Sequence, residues 1–200
     1  MRKLVGALHA PLVFDRRTRV LSGHLAAMLP REASVLDVGC GDGTISAMIG
    51  EQRPDVTIRG VDVLLRPQTH IPVELFDGKV LPAADKSVDA VMFVDVLHHT
   101  EDPMVLLREA ARVARRQVLI KDHTMDGPLA GTRLRFMDWV GNAPHGVVLP
   151  YNYWPEARWR QGFAALGLTI TEWRRDIGLY PFPASLLFGR GLHCVVALAP

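Results

Sequence analysis

Three glycines in alternate positions, Gly39, Gly41 and Gly43, form the segment of this sequence best suited to hold a ligand. Glycines leave a turn without side chains, so a ligand can lie against backbone amides at the start of a helix. Asp37 and Asp42 lie in the same segment. Their carboxylates would repel the pyrophosphate of a dinucleotide, which also prefers G-x-G-x-x-G to the G-x-G-x-G found here. The turn therefore favours a positively charged ligand without phosphate.

S-Adenosylmethionine has these properties, because it carries a sulfonium and an ammonium group and no phosphate. Asp62 stands at the end of the second predicted strand, where its carboxylate can accept both hydrogen bonds from a ribose diol. Asp77 ends the third strand and is placed to accept a hydrogen bond from an adenine amino group, while Phe76 and Val63 flank the ring. These residues predict the adenosine side of the site.

Three histidines, His98, His99 and His123, follow predicted strand ends on the ligand side. A neutral histidine within hydrogen-bond reach can take the proton of a hydroxyl acceptor. Such histidines are also commonly structural, and that alternative stays open. Because a sulfonium already activates its methyl group, positioning and desolvation can supply most of the catalysis. If one of the three is a base, His123 beside Asp122 is the preferred candidate.

A long stretch rich in aromatic residues, 125–154, interrupts the regular pattern and is expected to be irregular. A loop of this length is usually functional or disordered, and the aromatic content argues against disorder. It is predicted to form an acceptor pocket or a lid, with a packed cap or a dimer face as the equal alternative. The residues expected to line the pocket are Trp139, Asn142, His145, Tyr151 and Tyr153.

The elements that must position these residues alternate between strands and helices. Runs of β-type residues predict strands at 34–38, 56–62, 71–76, 88–94, 118–121, 168–173 and 193–199. Helical spacing and capping signals predict helices at about 16–29, after Gly43, after Asp102-Pro103 and at 155–166. This alternation predicts an α/β fold with a mostly parallel sheet, whose ligand crevice lies at the carboxyl ends of the strands.

Several blocks of the sequence resemble the class I S-adenosylmethionine-dependent methyltransferases, and within them the type 11 small-molecule group. The resemblance covers residues 34 to about 122 and rests on Val35-Leu-Asp-Val-Gly-Cys-Gly-Asp-Gly43, Val61-Asp62, Phe76-Asp77 and the run from Ser87 to His99. It implies a Rossmann-like, seven-stranded, mostly parallel sheet with helices on both faces. The implied strand order is 3-2-1-4-5-7-6 with strand seven antiparallel, and the stretch after strand five is an aromatic insertion.

The resemblance also implies roles for individual residues. Asp37, Gly39 and Gly41 would hold the methionine end of the cofactor, Asp62 the ribose, Asp77 the adenine, and Asp95 the floor near the sulfonium; Cys40 lines the turn as a small apolar residue. S-Adenosylhomocysteine would be the product. Two departures stand out: the link between strands two and three is too short for a full crossover helix, and Arg115-Arg116-Gln117 replaces the usual Pro-Gly-Gly before strand five.

Length and composition bound the remaining possibilities. A chain of 200 residues with 48% apolar residues predicts one folded domain. Its parts are a leading helix (1–30), a cofactor-binding half (31–124), the acceptor insertion (125–154) and a closing helix with strands (155–200). No apolar run reaches the ~18 residues of a membrane span, and the arginines are dispersed, which disfavours a nucleic-acid partner.

The sequence thus predicts a cytoplasmic enzyme that methylates a small-molecule acceptor. Two cysteines without C-x-x-C spacing indicate a reducing compartment and predict no metal site. Two other function classes remain open: a non-catalytic protein that binds S-adenosylmethionine, and, less favoured by the acids in the glycine turn, a nucleotide-dependent oxidoreductase.

Overall fold

A computed structural model of the chain describes residues 16–142, 151–182, 184–189 and 191–200, with the side chains at 138–142 and 187 left out. The helices are α1 (16–28), α2 (Thr44–Gln52), α3 (Pro103–Val113), α4 (Ala130–Asn142), α5 (Glu156–Ala165) and α6 (Ala184–Phe188), with a 3₁₀ turn at Leu97–His99. The strands are β1 (Ser34–Val38), β2 (Thr57–Asp62), β3 (Val73–Leu75), β4 (Val88–Val94), β5 (Ala114–His123), β6 (Thr169–Arg174) and β7 (His193–Ala199).

The seven strands form one sheet in the order β3-β2-β1-β4-β5-β7-β6. The first five strands are parallel, and β7 runs antiparallel to both β5 and β6. This confirms the predicted order and the antiparallel seventh strand. Because parallel strands end at one edge of a sheet, the segments that follow β1, β2, β4 and β5 gather there.

Side chains on the two faces of the sheet enter two separate apolar cores. On one face, Leu36 of β1 packs in a cluster with Leu107 of α3 and Trp159 of α5. On the other, Val35 of β1 packs in a cluster with Leu25 of α1. Neighbouring residues of a strand point to opposite faces, so a strand covered on both sides is nearly all apolar, as 88–94 is apart from Asp89.

The segment between β2 and β3 contains no helix, which confirms the shortened crossover. The usual turn before β5 is also missing: α3 ends at Val113 and β5 begins at Ala114. Val88 pairs with Ala114 and Ala90 pairs with Gln117, so β5 holds one residue more than β4 over this interval. Arg115-Arg116-Gln117 therefore lies inside β5, at this β-bulge, and does not form a turn before the strand.

The expectation of an irregular 125–154 stretch is wrong for residues 130–142, which form α4. Glycines and scattered aromatic residues obscured the helical spacing in the sequence. Ala130 and Leu134, four residues apart, place one face of α4 against Tyr153 and Leu192 in a third, small apolar cluster. The short helix α6 was not predicted either. Among the described residues, no helix combines the length and the apolar character that a membrane span requires.

Candidate active site

The glycine turn after β1 uses backbone conformations that favour glycine. Gly39, Gly41 and Gly43 have φ angles of 73°, 60° and 77°, which L side chains rarely adopt. A Cβ at position 39 would lie 2.6 Å from Cγ2 of Val96, whereas a Cβ at position 41 would meet no described heavy atom within 4 Å. Gly39 therefore lets the turn pack against the segment after β4, and Gly41 borders open space from which a ligand can approach the backbone.

We expect Gly39→Ala to destabilise the fold by ~1–3 kcal/mol more than Gly41→Ala. Both substitutions force a side chain into a positive φ, but only the first meets the stiff, β-branched Val96. Urea unfolding of the two variants measures the difference. Equal losses of unfolding free energy would mean that the close packing at Gly39 has no energetic weight.

A cleft of about 380 Å³ lies beside this turn, between α1 and the segment after β4. Arg17 and Leu21 of α1 form one wall. Among the residues predicted to bind the cofactor, the lining contains Asp37, Gly39, Cys40, Gly41 and Asp95. Burial and nearby carboxylates raise the pKa of the Cys40 thiol to about 12, so it lines the cleft as a neutral group.

Asp37 is buried at the base of this cleft, with 3% of its surface exposed. Its Oδ2 accepts a hydrogen bond of 2.6 Å from the Ser46 hydroxyl, while Oδ1 has no hydrogen-bond partner among the described residues. Burial raises the pKa of Asp37 to about 7. A buried acceptor without a donor costs free energy, so the site is suited to a ligand that supplies a donor.

The residues predicted for the adenosine side lie outside the lining of this cleft. Asp62 closes the turn from β2: its Oδ2 accepts the Gly41 N–H at 2.8 Å and its Oδ1 accepts the Leu64 N–H at 2.9 Å. Asp77 is exposed, and hydrogen bonds from two following backbone N–H groups lower its pKa.

The loops after β2 and β3 nevertheless lie close together. A Cβ at Gly78 would be 3.1 Å from Val63, whose side chain is exposed. Phe76 is half-buried and packs against the core on the α3 face of the sheet. The two loops could therefore border one ligand, and the ribose and adenine roles of Asp62 and Asp77 stay predictions.

Asp95 follows β4 and carries two cationic partners. Lys121 of β5, which is fully buried, forms an ion pair with Oδ1, and Arg17 of α1 approaches Oδ2 to 2.6 Å. Burial alone would raise the pKa of Asp95, but the charges of Lys121 and Arg17 hold it well below its usual value. The backbone of Asp95 has a positive φ of 58°, which is uncommon for a residue other than glycine. These contacts fix an ionised carboxylate in the wall of the cleft.

Asp122 pairs with His98, whereas the sequence favoured His123 as its partner. Its Oδ1 accepts a hydrogen bond of 2.7 Å from Nδ1 of His98, and its Oδ2 accepts the Leu97 N–H at 3.0 Å. His123 donates its backbone N–H to Oδ1, but its Nδ1 stays 3.6 Å from both Asp95 and Asp122. Burial lowers the pKa of His123 to about 4, so its ring is neutral at physiological pH.

The three predicted histidines do come together. The ring centroid of His98 lies 4.0 Å from that of His99, 4.7 Å from that of His123 and 5.5 Å from that of Tyr153. The Tyr153 hydroxyl donates to the backbone carbonyl of Leu134, so this tyrosine also anchors α4. Whether any of the three histidines acts as a base stays a prediction.

The remaining acceptor-pocket predictions are only partly covered by the structure. Tyr151 is half-buried, 6.4 Å from the Tyr153 ring and under the guanidinium of Arg135. The side chains of Trp139 and Asn142, and the whole of His145, lie outside the described residues.

Sequence reasoning missed three residues that the fold brings to this edge of the sheet. They are Arg17, Lys121 and His193. A lysine inside the apolar run Val118-Leu-Ile-Lys121 is a signal that could have been used, because a buried lysine needs a carboxylate partner. Nothing in the sequence around His193 marks it as belonging to the site.

Asp95, His98, Asp122 and His123 each offer one ligand atom, and these four atoms lie within 4.8 Å of one another. Mixed histidine and carboxylate groups of this kind can bind divalent transition metals. Here, however, each carboxylate already holds a partner inside the protein, Lys121 on Asp95 and His98 on Asp122. The geometry fits a charge cluster balanced by the protein itself, and the absence of a metal stays a prediction.

Comparison with known proteins places the chain in a family. A family described as a methyltransferase domain matches residues 12–172. The 27-O-demethylrifamycin SV methyltransferase of Amycolatopsis mediterranei is 30% identical over 116 residues, which are 50% of this chain and 42% of that protein. The matched stretch therefore spans less than half the length of this curated relative.

Solved structures share the fold. The S-adenosylmethionine dependent methyltransferase from Mesorhizobium loti has a TM-score of 0.65 at 19% identity, over 89% of this chain and 96% of that one. A second structure is that of the 1,6-didemethyltoxoflavin-N1-methyltransferase of Burkholderia thailandensis, with 1,6-didemethyltoxoflavin and S-adenosylhomocysteine bound. It has a TM-score of 0.65 at 21% identity, over 92% of this chain and 77% of that one. Sheet order, family match and relatives agree: the chain belongs to the class I S-adenosylmethionine-dependent methyltransferases.

Proposed function

We propose that this methyltransferase binds S-adenosylmethionine in the cleft between α1 and the glycine turn, and methylates a small-molecule acceptor. The observation that carries the proposal is the buried Oδ1 of Asp37, an acceptor without a donor at the base of the cleft. The ammonium of the cofactor would supply that donor, with a charge opposite to that of the ionised carboxylate. No phosphate-binding residue is required.

The other residues of the cleft suit the same ligand. Gly41 leaves its backbone open to close approach, and the exposed Asp42 adds negative charge at the mouth. Lys121 and Arg17 keep Asp95 ionised, so a carboxylate remains available in the wall. Arg17 also ties α1 across the cleft, which would exclude water from a bound ligand.

When bound, S-adenosylmethionine would supply an electrophilic methyl group on its sulfur, and the transfer of that group would leave S-adenosylhomocysteine, with the acceptor releasing one proton. The protein contributes by positioning the acceptor against the methyl group and by excluding water from the site. His98 and Asp122 hold the turn after β4 against β5 and thereby position the histidines at this edge. Two similar proteins support a small-molecule acceptor, since their names specify 27-O-demethylrifamycin SV and 1,6-didemethyltoxoflavin.

Isothermal calorimetry with S-adenosylmethionine, S-adenosylhomocysteine and NADP tests the cofactor, and we expect heat from the first two only. Asp62→Ala should weaken both by about tenfold or more, because it removes the proposed ribose contact and frees the Gly41 N–H. Methyl transfer to a panel of small hydroxyl and amine compounds then tests the activity. Clean binding of NADP in place of S-adenosylmethionine would contradict the proposal, and cofactor binding without transfer to any acceptor would favour the non-catalytic alternative.

A further inference from the structure

A second cavity, of about 310 Å³, lies between the segment that follows β6 and the helix α6. Its walls include the apolar side chains of Ile177, Leu179 and Leu186, the ring of Tyr180, and His193 at the start of β7. Ile177 and Leu179 are buried, whereas Leu186 is exposed. Arg175, Asp176 and Ser185 also line it. The cavity therefore combines apolar surface with polar groups, and the opposite charges of Arg175 and Asp176 leave it without a net charge.

His193 has one ring nitrogen without a partner. Its Nε2 lies 2.8 Å from the carbonyl oxygen of Phe188. A carbonyl oxygen can only accept, so Nε2 carries the hydrogen and Nδ1 carries the lone pair. His193 is 2% exposed, and its Nδ1 has no hydrogen-bond partner within the described part of the chain.

Burial and the charge of Lys121 keep the ring of His193 neutral. The ring of His123 lies 4.8 Å away and that of Tyr180 5.7 Å away, and Lys121 and Asp95 act on it electrostatically. Burial, followed by the charge of Lys121, lowers the pKa of His193 well below its usual value. The ring is thus suited to accept a hydrogen bond and not to retain a proton.

This second cavity lies next to the cofactor cleft. The charges of Arg17 and Asp95, which both line the cleft, act on the pKa of the Tyr180 hydroxyl. Helix α1 contributes to both places, because Arg17 reaches Asp95 and His24 donates from Nε2 to the carbonyl of Ile177 at 3.1 Å. A ligand in the second cavity would therefore approach the cofactor from the side of Asp95.

We propose that this cavity is the acceptor site, and that it takes a neutral, largely apolar molecule whose hydroxyl group donates a hydrogen bond to Nδ1 of His193. Calling the cavity an acceptor site rests on the proposed methyl transfer, whereas the hydrogen bond from a ligand to His193 does not depend on it. It assigns the polar anchor to His193 and not to the histidines at 98, 99 and 123. It also moves the main wall of the pocket from residues 125–154 to the segment between β6 and β7.

The test uses 2-naphthol as the probe and 2-methoxynaphthalene, which lacks the hydroxyl, as its control. On the full chain, with and without S-adenosylhomocysteine, ¹⁵N NMR follows the imidazole nitrogens during titration. We expect 2-naphthol to shift Nδ1 of His193 toward the hydrogen-bonded value and to bind about tenfold more tightly than the ether. The ether should leave that nitrogen unchanged.

Two substitutions separate the anchor from the fold. His193→Gln keeps a donor toward the Phe188 carbonyl and loses the acceptor at Nδ1, so 2-naphthol should bind about tenfold more weakly. His193→Asn keeps an acceptor near Nδ1, so most of the preference for the naphthol over the ether should survive. Thermal unfolding verifies that both variants fold.

The outcomes divide cleanly. Failure of 2-naphthol to bind, or equal affinities for naphthol and ether in the original protein, would overturn the acceptor site. An unchanged preference in His193→Gln would overturn the role of Nδ1. Calorimetric binding of S-adenosylhomocysteine to the same samples reports on the proposed function separately, because the second cavity does not include Asp37 or the glycine turn.

Discussion

Asp37→Asn is expected to weaken S-adenosylmethionine binding at pH 8 by about 2 kcal/mol, roughly 30-fold. The substitution can keep the hydrogen bond from Ser46, but it replaces the buried, unpartnered Oδ1 and removes the negative charge offered to the ammonium. Calorimetry at pH 8 measures the loss. Asp42→Asn, an exposed carboxylate on the same turn, is the control and should change the affinity only a few-fold.

The same residue makes stability and affinity depend on pH in opposite directions. Burial raises the pKa of Asp37 from 3.8 to about 7, so the folded protein binds more protons than the unfolded chain between these values. Its contribution to stability is complete below pH ~4 and is lost as the pH rises to ~7, by up to about 4 kcal/mol. Cofactor affinity should rise over the upper part of this range, because the ligand requires the ionised form.

Urea unfolding of the ligand-free protein from pH 4 to pH 8 checks the sign. Asp37→Asn should flatten the pH dependence and be more stable than the original protein at pH 8, whereas Asp42→Asn should follow the original curve. If the unfolding free energy of the ligand-free protein rose from pH 4 to pH 7, and Asp37→Asn removed that rise, the result would contradict a buried carboxylate without a donor.

The second large effect is expected at Lys121. Lys121→Met should lower the unfolding free energy by ~3–5 kcal/mol, because it leaves the half-buried carboxylate of Asp95 without the fully buried cation beside it. Arg17→Met removes the other cation from the same carboxylate. The side chain of Arg17 is 31% exposed, so this control should cost less than ~1 kcal/mol.

A double-mutant cycle isolates the pair. Lys121→Met combined with Asp95→Asn should lose ~1–3 kcal/mol less than the sum of the two single losses, since neither partner is then left alone. Urea unfolding at pH 7.5 of the four proteins gives the coupling. Additive losses, or equal losses for Lys121→Met and Arg17→Met, would show that the buried ion pair is not the source of the effect.

The parts of the fold that depend on local spacing were predictable. The strand β1, the glycine turn and the helix after it are contiguous, and their residue types alone indicate strand, turn and helix. The Asp102-Pro103 start of α3 is equally local, since Asp102 caps the helix through the Met104 N–H. The sheet order came from the family resemblance, because strand pairing joins distant segments.

The parts that depend on distant contacts were not predictable. Arg17 and Asp95 are far apart in the chain, and no sequence pattern joins them. The choice of Asp122 between His98 and His123 depends on which way each ring turns from its backbone. Helix α4 was missed because its glycines and aromatic residues are as typical of a loop, and only packing on Tyr153 and Leu192 selects the helix.

The extra residue in β5 determines where the charges of the following residues point. Leu119 packs on the α1 side of the sheet, and Val118 and Ile120 on the α3 side, so Lys121 falls on the first side with Arg17 and Asp95. If β5 continued from Ala114 without the insertion, every later side chain would turn over. The ammonium would then enter the apolar layer beneath α3 and α5. One extra residue thus decides which face of the sheet each later side chain of β5 points to, and so which face receives the charged group.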